Sequence, residues 1–110
     1  MSVSKARLMA MIEAIVQITN PKLVVLFGSQ ARSAAAHHSD IDLLIVGERP
    51  ENATWSRRRE IGRIRRNLPS IGVPVDILFF TPDEVAHWRD TTNHIIHDAF
   101  RDGEVLYERP

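Results

Sequence analysis

The sequence predicts an α/β fold, a small mixed β-sheet flanked by helices. Three observations predict it. Short branched apolar runs, LVVLF at 23–27, DIDLLIVG at 40–47 and VPVDILFF at 73–80, have the length and composition of strands. Stretches with three- and four-residue apolar spacing alternate with them, as helices do. At 110 residues and 12.5 kDa, the chain is the size of one domain, residues 1–110.

Each element follows from its residues. In KARLMAMIEAIVQI, residues 5–18, Leu8, Met11, Ile12, Ile15 and Ile18 share one helical face, and Asn20-Pro21 stops the helix. LVVLF is apolar throughout, the pattern of a strand buried on both faces. Gly28-Ser29 breaks it, and the alanine-rich residues 30–36 predict a short helical turn. The next strand, 40–47, is charged at its start and apolar afterwards. Residues 54–68 predict a helix with Ile61, Ile64 and Leu68 inward and arginines outward. After the third strand, Thr81-Pro82-Asp83-Glu84 reads as a helix start: a threonine cap, proline at the first helical position and glutamate three after the cap. An interrupted helical stretch then runs to about Phe100 and ends at Gly103, and VLY at 105–107 adds a short strand. The strands lie close enough in sequence to predict no large crossover.

Composition excludes several classes. Apolar residues make up 44% and charged residues 25%, which is not the balance of a disordered chain. The formal charge is zero, so any nucleic-acid role must rest on a local patch. The absence of cysteine removes disulfides, thiolate metal sites and a cysteine nucleophile. No apolar run approaches the ~20 residues of a membrane span, and Glu13 interrupts the apolar N-terminal stretch where a signal core would lie. The expectation is a cytoplasmic domain.

The chemistry gathers in three places. Asp40 and Asp42 flank Ile41 at the mouth of the second strand, so they share a face about 7 Å apart. Ile41, Leu43 and Ile45 then face the other way, into the core. Asp76 sits inside an apolar strand, where a buried carboxylate is costly unless paired or metal-bound. If that strand lies beside DIDLLIV, three carboxylates converge, and hard oxygen ligands select Mg2+ or Mn2+. Gly28 allows a sharp turn and close approach of backbone to a ligand. The N–H groups of a helix starting after it, the Ser29 hydroxyl and the Arg32 guanidinium then suit a phosphate. A phosphate cradle facing acidic metal ligands is the apparatus of phosphoryl or nucleotidyl transfer.

LFGSQAR, six residues, then SDIDLLIV resembles the Gly-Ser, ten residues, Asp-x-Asp signature of the DNA polymerase beta-like nucleotidyltransferases. The chain is similar to the minimal nucleotidyltransferases (MNT proteins), many encoded beside a helical HEPN partner as toxin–antitoxin pairs. The likeness extends over the leading helix, both motifs, VDILFF and DGEVLYER. It implies the polymerase beta-like fold and a transferase moving a nucleoside monophosphate, AMP from ATP, onto a partner protein. It also implies two Mg2+ ions on Asp40 and Asp42, with Asp76 holding the one that activates the attacking group and serving as general base. Gly28, Ser29 and Arg32 would hold the triphosphate. The sequence departs from the family at Ser33, where glycine is usual. The alternative is an antitoxin that neutralises its partner by binding, with little or no catalysis. Asp-x-Asp also occurs in haloacid-dehalogenase-like phosphatases and glycosyltransferases, but there the apolar strand precedes the motif, whereas here it follows.

A chain this short has little room for an acceptor pocket, so a partner protein or a second copy of the chain is expected to supply one, and the resemblance implies that the partner is a HEPN-like helical protein. Arg57, Arg58, Arg59, Arg63, Arg65 and Arg66 could meet nucleic acid or an acidic protein, but a solvated face is the simpler reading. His94 and His97 lack a third ligand, and His37 and His38 read as loop residues. Trp55 and Trp88 suit packing.

Overall fold

The computed structural model describes residues 5–27, 41–49 and 54–110. Four strands form one sheet: β1 (Leu23–Phe27), β2 (Ile41–Val46), β3 (Val75–Phe80) and β4 (Glu104–Glu108), in the order β3-β2-β1-β4. β1 is antiparallel to both β2 and β4, whereas β2 and β3 are parallel, so the sheet is mixed. Helices α1 (Lys5–Thr19) and α2 (Arg57–Arg66) cover one face; α3 (Pro82–Trp88) and α4 (Ile95–Asp102) cover the other.

The central strands explain this three-layer arrangement. Along β2, Ile41, Leu43 and Ile45 pack with Met11, Ile12 and Ile15 of α1 and Ile64 of α2. Leu44 and Val46 point the opposite way, to Val85 of α3 and Ile96 and Ala99 of α4. A strand apolar on both sides needs a helical layer on each. The expected burial of Ile41, Leu43 and Ile45 is thus one layer of a sheet that helices flank on both sides. The expected lack of a crossover is also corrected: parallel β2 and β3 are joined through α2, because parallel neighbours cannot be linked by a tight turn.

Helix ends follow local chemistry. Asn20, at φ 46°, ends α1 in the left-handed region and donates its N–H to the Val16 carbonyl; buried Pro21 follows. Helix α2 is shorter than the predicted 54–68, because the Ser56 hydroxyl accepts from the Arg59 N–H and sets its start. Thr81 and Glu84 form the predicted capping box: the Thr81 side chain accepts from the Glu84 N–H at 3.2 Å, and the Glu84 carboxylate accepts from the Thr81 N–H at 2.9 Å. The predicted interruption falls between α3 and α4, with Asn93 at φ 69°.

At the β4 edge, the pairing with β1 shifts register between Val24 and Val25, opposite Tyr107 and Val105. The extra residue, Leu106, packs with Tyr107 on the α1 side, so the irregularity turns two consecutive side chains onto one face. Gly103 links α4 to this strand by close approach. A Cβ there would overlap the Ala99 carbonyl oxygen and come within 2.6 Å of Val25 Cγ1. Gly103→Ala should therefore destabilise by about 1–3 kcal/mol, read from chemical denaturation, as overpacking does.

The Glu84 carboxyl reports on the α3 cap. Burial pushes its pKa up, but the Thr81 N–H, the Arg57 guanidinium and the Thr81 hydroxyl outweigh burial and hold it below the ordinary value of 4.5. A depressed folded-state pKa means that the contribution is complete above pH 4.5 and fades as pH falls through the lowered value. Glu84→Gln keeps the cap geometry and loses the charge. It should cost roughly 0.5–1 kcal/mol at pH 7, a partly exposed pair being weakened by solvent. The gap from wild type should close below the lowered pKa in denaturation curves across pH.

Candidate active site

Strand pairing brings two of the sequence-predicted acids together. In the parallel β2–β3 ladder Asp42 lies directly opposite Asp76. Adjacent strands are about 4.8 Å apart, so the two carboxylates stem from neighbouring backbone positions. The Ile41 N–H donates to the Pro74 carbonyl at 2.9 Å and joins the two strand starts. The residues alternating with the acids, Leu44 and Val46 on β2 and Leu78 and Phe80 on β3, belong to the α3–α4 layer. Both aspartates thus point to that side of the sheet, at the starts of their strands. On the other flank of Asp42 its partner is Phe27, the buried last residue of β1.

Asp42 is half-buried and Asp76 is exposed. This corrects the reason for singling out Asp76: its carboxylate bears no burial cost, because β3 is an edge strand and its start lies open. What recruits Asp76 is register. Asp40, Gly28, Ser29 and Arg32 lie outside the described residues, as do Ser33, His37 and His38. The chain leaves the described structure after Phe27 and re-enters at Ile41, both at the carboxylate end of the sheet. Among the described residues, no three histidine, aspartate or glutamate side chains come together as a metal cage. Asp42 and Asp76 supply two hard oxygen donors side by side, a donor set suited to Mg2+ or Mn2+ once a further ligand joins.

The opposite end of the sheet is built differently. A cleft of about 580 Å3 there is lined by Lys22, Glu48, Arg49, Trp55, Arg57 and the first turn of α3. Most of its charges are engaged: Lys22 pairs with Glu48 at 3.4 Å, Arg57 pairs with Glu84, and Arg49 lies over the Trp55 ring at 5.2 Å. Mutually neutralised side chains line this end. Arg57 therefore leaves the outward fan of arginines, and it also lies over Phe80 at 5.2 Å.

The remaining candidates resolve into packing and capping. His94 Nδ1 accepts from the Ile96 N–H at the start of α4, and its ring stacks on Trp88 with centroids 4.5 Å apart. His97 bonds the Arg89 carbonyl through Nδ1. Trp55 packs against core Phe79, whereas Trp88 is 38% exposed and lies between His87 and His94. Sequence reasoning missed buried Glu60, whose Oε1 accepts from Arg63 Nε and Nη2 at 2.9 and 2.6 Å, and whose Oε2 faces Trp55 Nε1 at 3.4 Å. The available signal was its place one turn before Ile64, on the inward face.

A mixed sheet between helical layers, with paired acids beside the end of its first strand, is the framework of a nucleotidyltransferase domain. Residues 8–102 match the model of the nucleotidyltransferase domain family, and the chain belongs to that family. Membership makes it a domain of the transferase class and supports nucleotidyl transfer as its function. Its structure is similar to the crystal structure of a Sulfolobus solfataricus protein assigned as a nucleotidyltransferase. The TM-score is 0.56 at 18% identity, over 99% of this chain and 93% of that one. At that identity the likeness is one of fold. No match was found among curated proteins. No helix among the described residues is long and apolar enough to cross a membrane.

If the paired acids bind metal, Asp42→Asn should weaken Mn2+-dependent ATP binding by roughly tenfold or more, the worth of one charged contact. Isothermal calorimetry measures this. Asp76→Asn should leave stability within about 0.5 kcal/mol of wild type, as an exposed substitution does, while also weakening metal-dependent binding.

Proposed function

We propose that the chain is a metal-dependent nucleotidyltransferase that moves AMP from ATP onto a side-chain hydroxyl of a partner protein. The observation that carries this reading is the pairing of Asp42 with Asp76 on one open face, in a chain of the nucleotidyltransferase domain family. Asp40, Asp42 and Asp76 would hold Mg2+, or Mn2+ in its place. When bound, the metal neutralises triphosphate charge and polarises the α-phosphoryl group. Gly28 N–H, the Ser29 hydroxyl and Arg32 would bind the tail phosphates and so fix the α-phosphorus relative to the acids. The acceptor hydroxyl oxygen forms a bond to the α-phosphorus, the bond to the bridging oxygen breaks, and pyrophosphate departs with its electron pair. Asp76, open to solvent beside that position, accepts the hydroxyl proton.

The whole chain serves as one catalytic unit, working in the cytoplasm, and positioning of the acceptor falls to another surface. An acceptor misplaced by ~1 Å reacts on the order of 100-fold more slowly, so that surface must be rigid. A HEPN-like helical toxin neutralised by AMP is the partner we propose, with a second copy of the chain as the other source of such a surface.

Intact-mass spectrometry tests the reading. The protein, ATP, Mg2+ and the candidate helical partner are incubated together, and the partner should gain the mass of AMP with wild type but not with Asp42→Asn. Neutralisation of the partner by Asp42→Asn without added mass would make this chain a binding antitoxin. AMP appearing on a small molecule, with no complex formed, would reject the protein acceptor.

A further inference from the structure

We infer that the outward face of α2 is a docking surface for the phosphodiester backbone of nucleic acid. This surface is separate from the carboxylate site and does not depend on what that site transfers. Four features of the helix support it.

The first is charge density without compensation. Helix α2 holds six arginines against one glutamate in ten residues, in a chain whose formal charge is zero. Glu60 is turned inward and taken by Arg63, and Arg57 is taken by Glu84. Arg58, Arg59, Arg65 and Arg66 are exposed and form no ion pair among the described residues. At 100° per residue these four and Arg63 fall within about 160° of arc, one continuous positive stripe along ~15 Å of helix.

The second is that stability does not account for the pattern. Arg57, Arg58 and Arg59 occupy the first turn, where the helix dipole favours acids and disfavours cations. Arg59 and Arg63 are four apart and repel. The third is Gly62, in the middle of the stripe, where glycine costs about 1 kcal/mol relative to alanine. A Cβ there would lie 3.3 Å from Arg66 Nη1, and its absence leaves a shallow depression lined by Ser56, Arg58, Arg59, Gly62, Arg63 and Arg66. A depression floored by backbone and walled by guanidinium groups suits a phosphate group.

The fourth feature selects nucleic acid over an acidic protein. Protein interfaces centre on buried apolar and aromatic side chains, and no apolar side chain lies in this stripe. Interfaces with nucleic acid are more polar and far more positive, and arginine matches phosphate with its two-pronged donor geometry. The helix starts where Arg57 overlies Phe80, at the end of β3, and returns the chain to the start of β3, where Asp76 lies.

Fluorescence anisotropy with labelled 20-nucleotide single strands of mixed sequence, one RNA and one DNA, tests the inference on the whole protein. Binding at 50 mM KCl should weaken steeply with salt. Four phosphate contacts at a slope of about −0.7 each give a loss on the order of 50-fold between 50 and 200 mM. Arg58→Glu combined with Arg66→Glu should abolish binding, and Arg59→Gln alone should weaken it and flatten the salt slope by about one contact. Arg101→Glu, on α4 and paired with Asp98 and Asp102, should leave binding unchanged. The RNA and DNA arms identify which backbone is preferred, and binding to either supports the surface. No binding at 50 mM salt overturns it, as does equal loss with Arg101→Glu. Displacement by poly-glutamate as effective as by unlabelled strand would assign the stripe to an acidic protein instead.

Discussion

The parallel register of β2 and β3 is the constraint on which the candidate site depends. Strand side chains alternate, so a slip of one residue would carry Asp76 to the α1–α2 side and bring Ile77 beside Asp42. Two cores prevent that slip. Ile77 and Phe79 are locked into the α1–α2 layer with Leu43 and Ile45, while Leu78 and Phe80 join Leu44 and Val46 on the other side. A slip would force the interlocked side chains of both layers to repack at once. Asp42 is the one residue of β2 outside either core, and the burial of its neighbours fixes its place on the sheet.

This register also explains which end of the sheet holds the acids. In fully parallel sheets, ligands bind beyond the carboxyl ends of the strands. For β2 and β3 that end is a cleft lined by the paired charges of Lys22, Glu48, Arg57 and Glu84. Antiparallel β1 changes the geometry, because its carboxyl end lies beside the start of β2, with Phe27 opposite Asp42. A site at this end draws on the end of one strand and the beginnings of two. The residues that follow β1 in sequence and Asp42 at the start of β2 are therefore brought to one end of the sheet for a topological reason.

Much of this was legible in the sequence because the strands are short and apolar and their boundaries carry distinctive residues. Thr81, Pro82 and Glu84 specify their helix start through local hydrogen bonds, which sequence reports well, and the capping box is present as read. Asp42 beside Asp76 was legible only as a conditional, since alternation gives the face but strand order decides the neighbour. The reason offered for Asp76 was wrong. An apolar neighbourhood in sequence is not burial when the strand lies at an edge and the residue near its start, and only the sheet order supplies that information. The α2 crossover was missed on similar grounds, since it depends on where β3 pairs. Glu60 and Arg57 illustrate the limit for side chains, because both look like members of a solvated charged helix, yet Glu60 is buried facing Trp55 and Arg57 pairs with Glu84, far off in sequence.

Glu60 also explains how so basic a helix holds its place. Cations in the first turn of α2 oppose the dipole, and neighbouring arginines repel, so intrinsic preference alone would leave the helix weak. Tertiary contacts offset this. Ser56 caps the first turn, Ile64 is buried in the core, and Ile61 and Leu68 pack against it. Buried Glu60 then binds Arg63 and faces Trp55, which itself packs on Phe79. A carboxylate placed on the solvent side could have stabilised the helix equally through ion pairs, but it would have cancelled the exposed charge. Turning the acid inward anchors the helix through its buried face and leaves the outward arginines uncompensated. The zero net charge of the chain thus conceals a separation of charge: the positive excess is concentrated on one exposed helix face, and the matching negative excess is distributed over the rest of the chain.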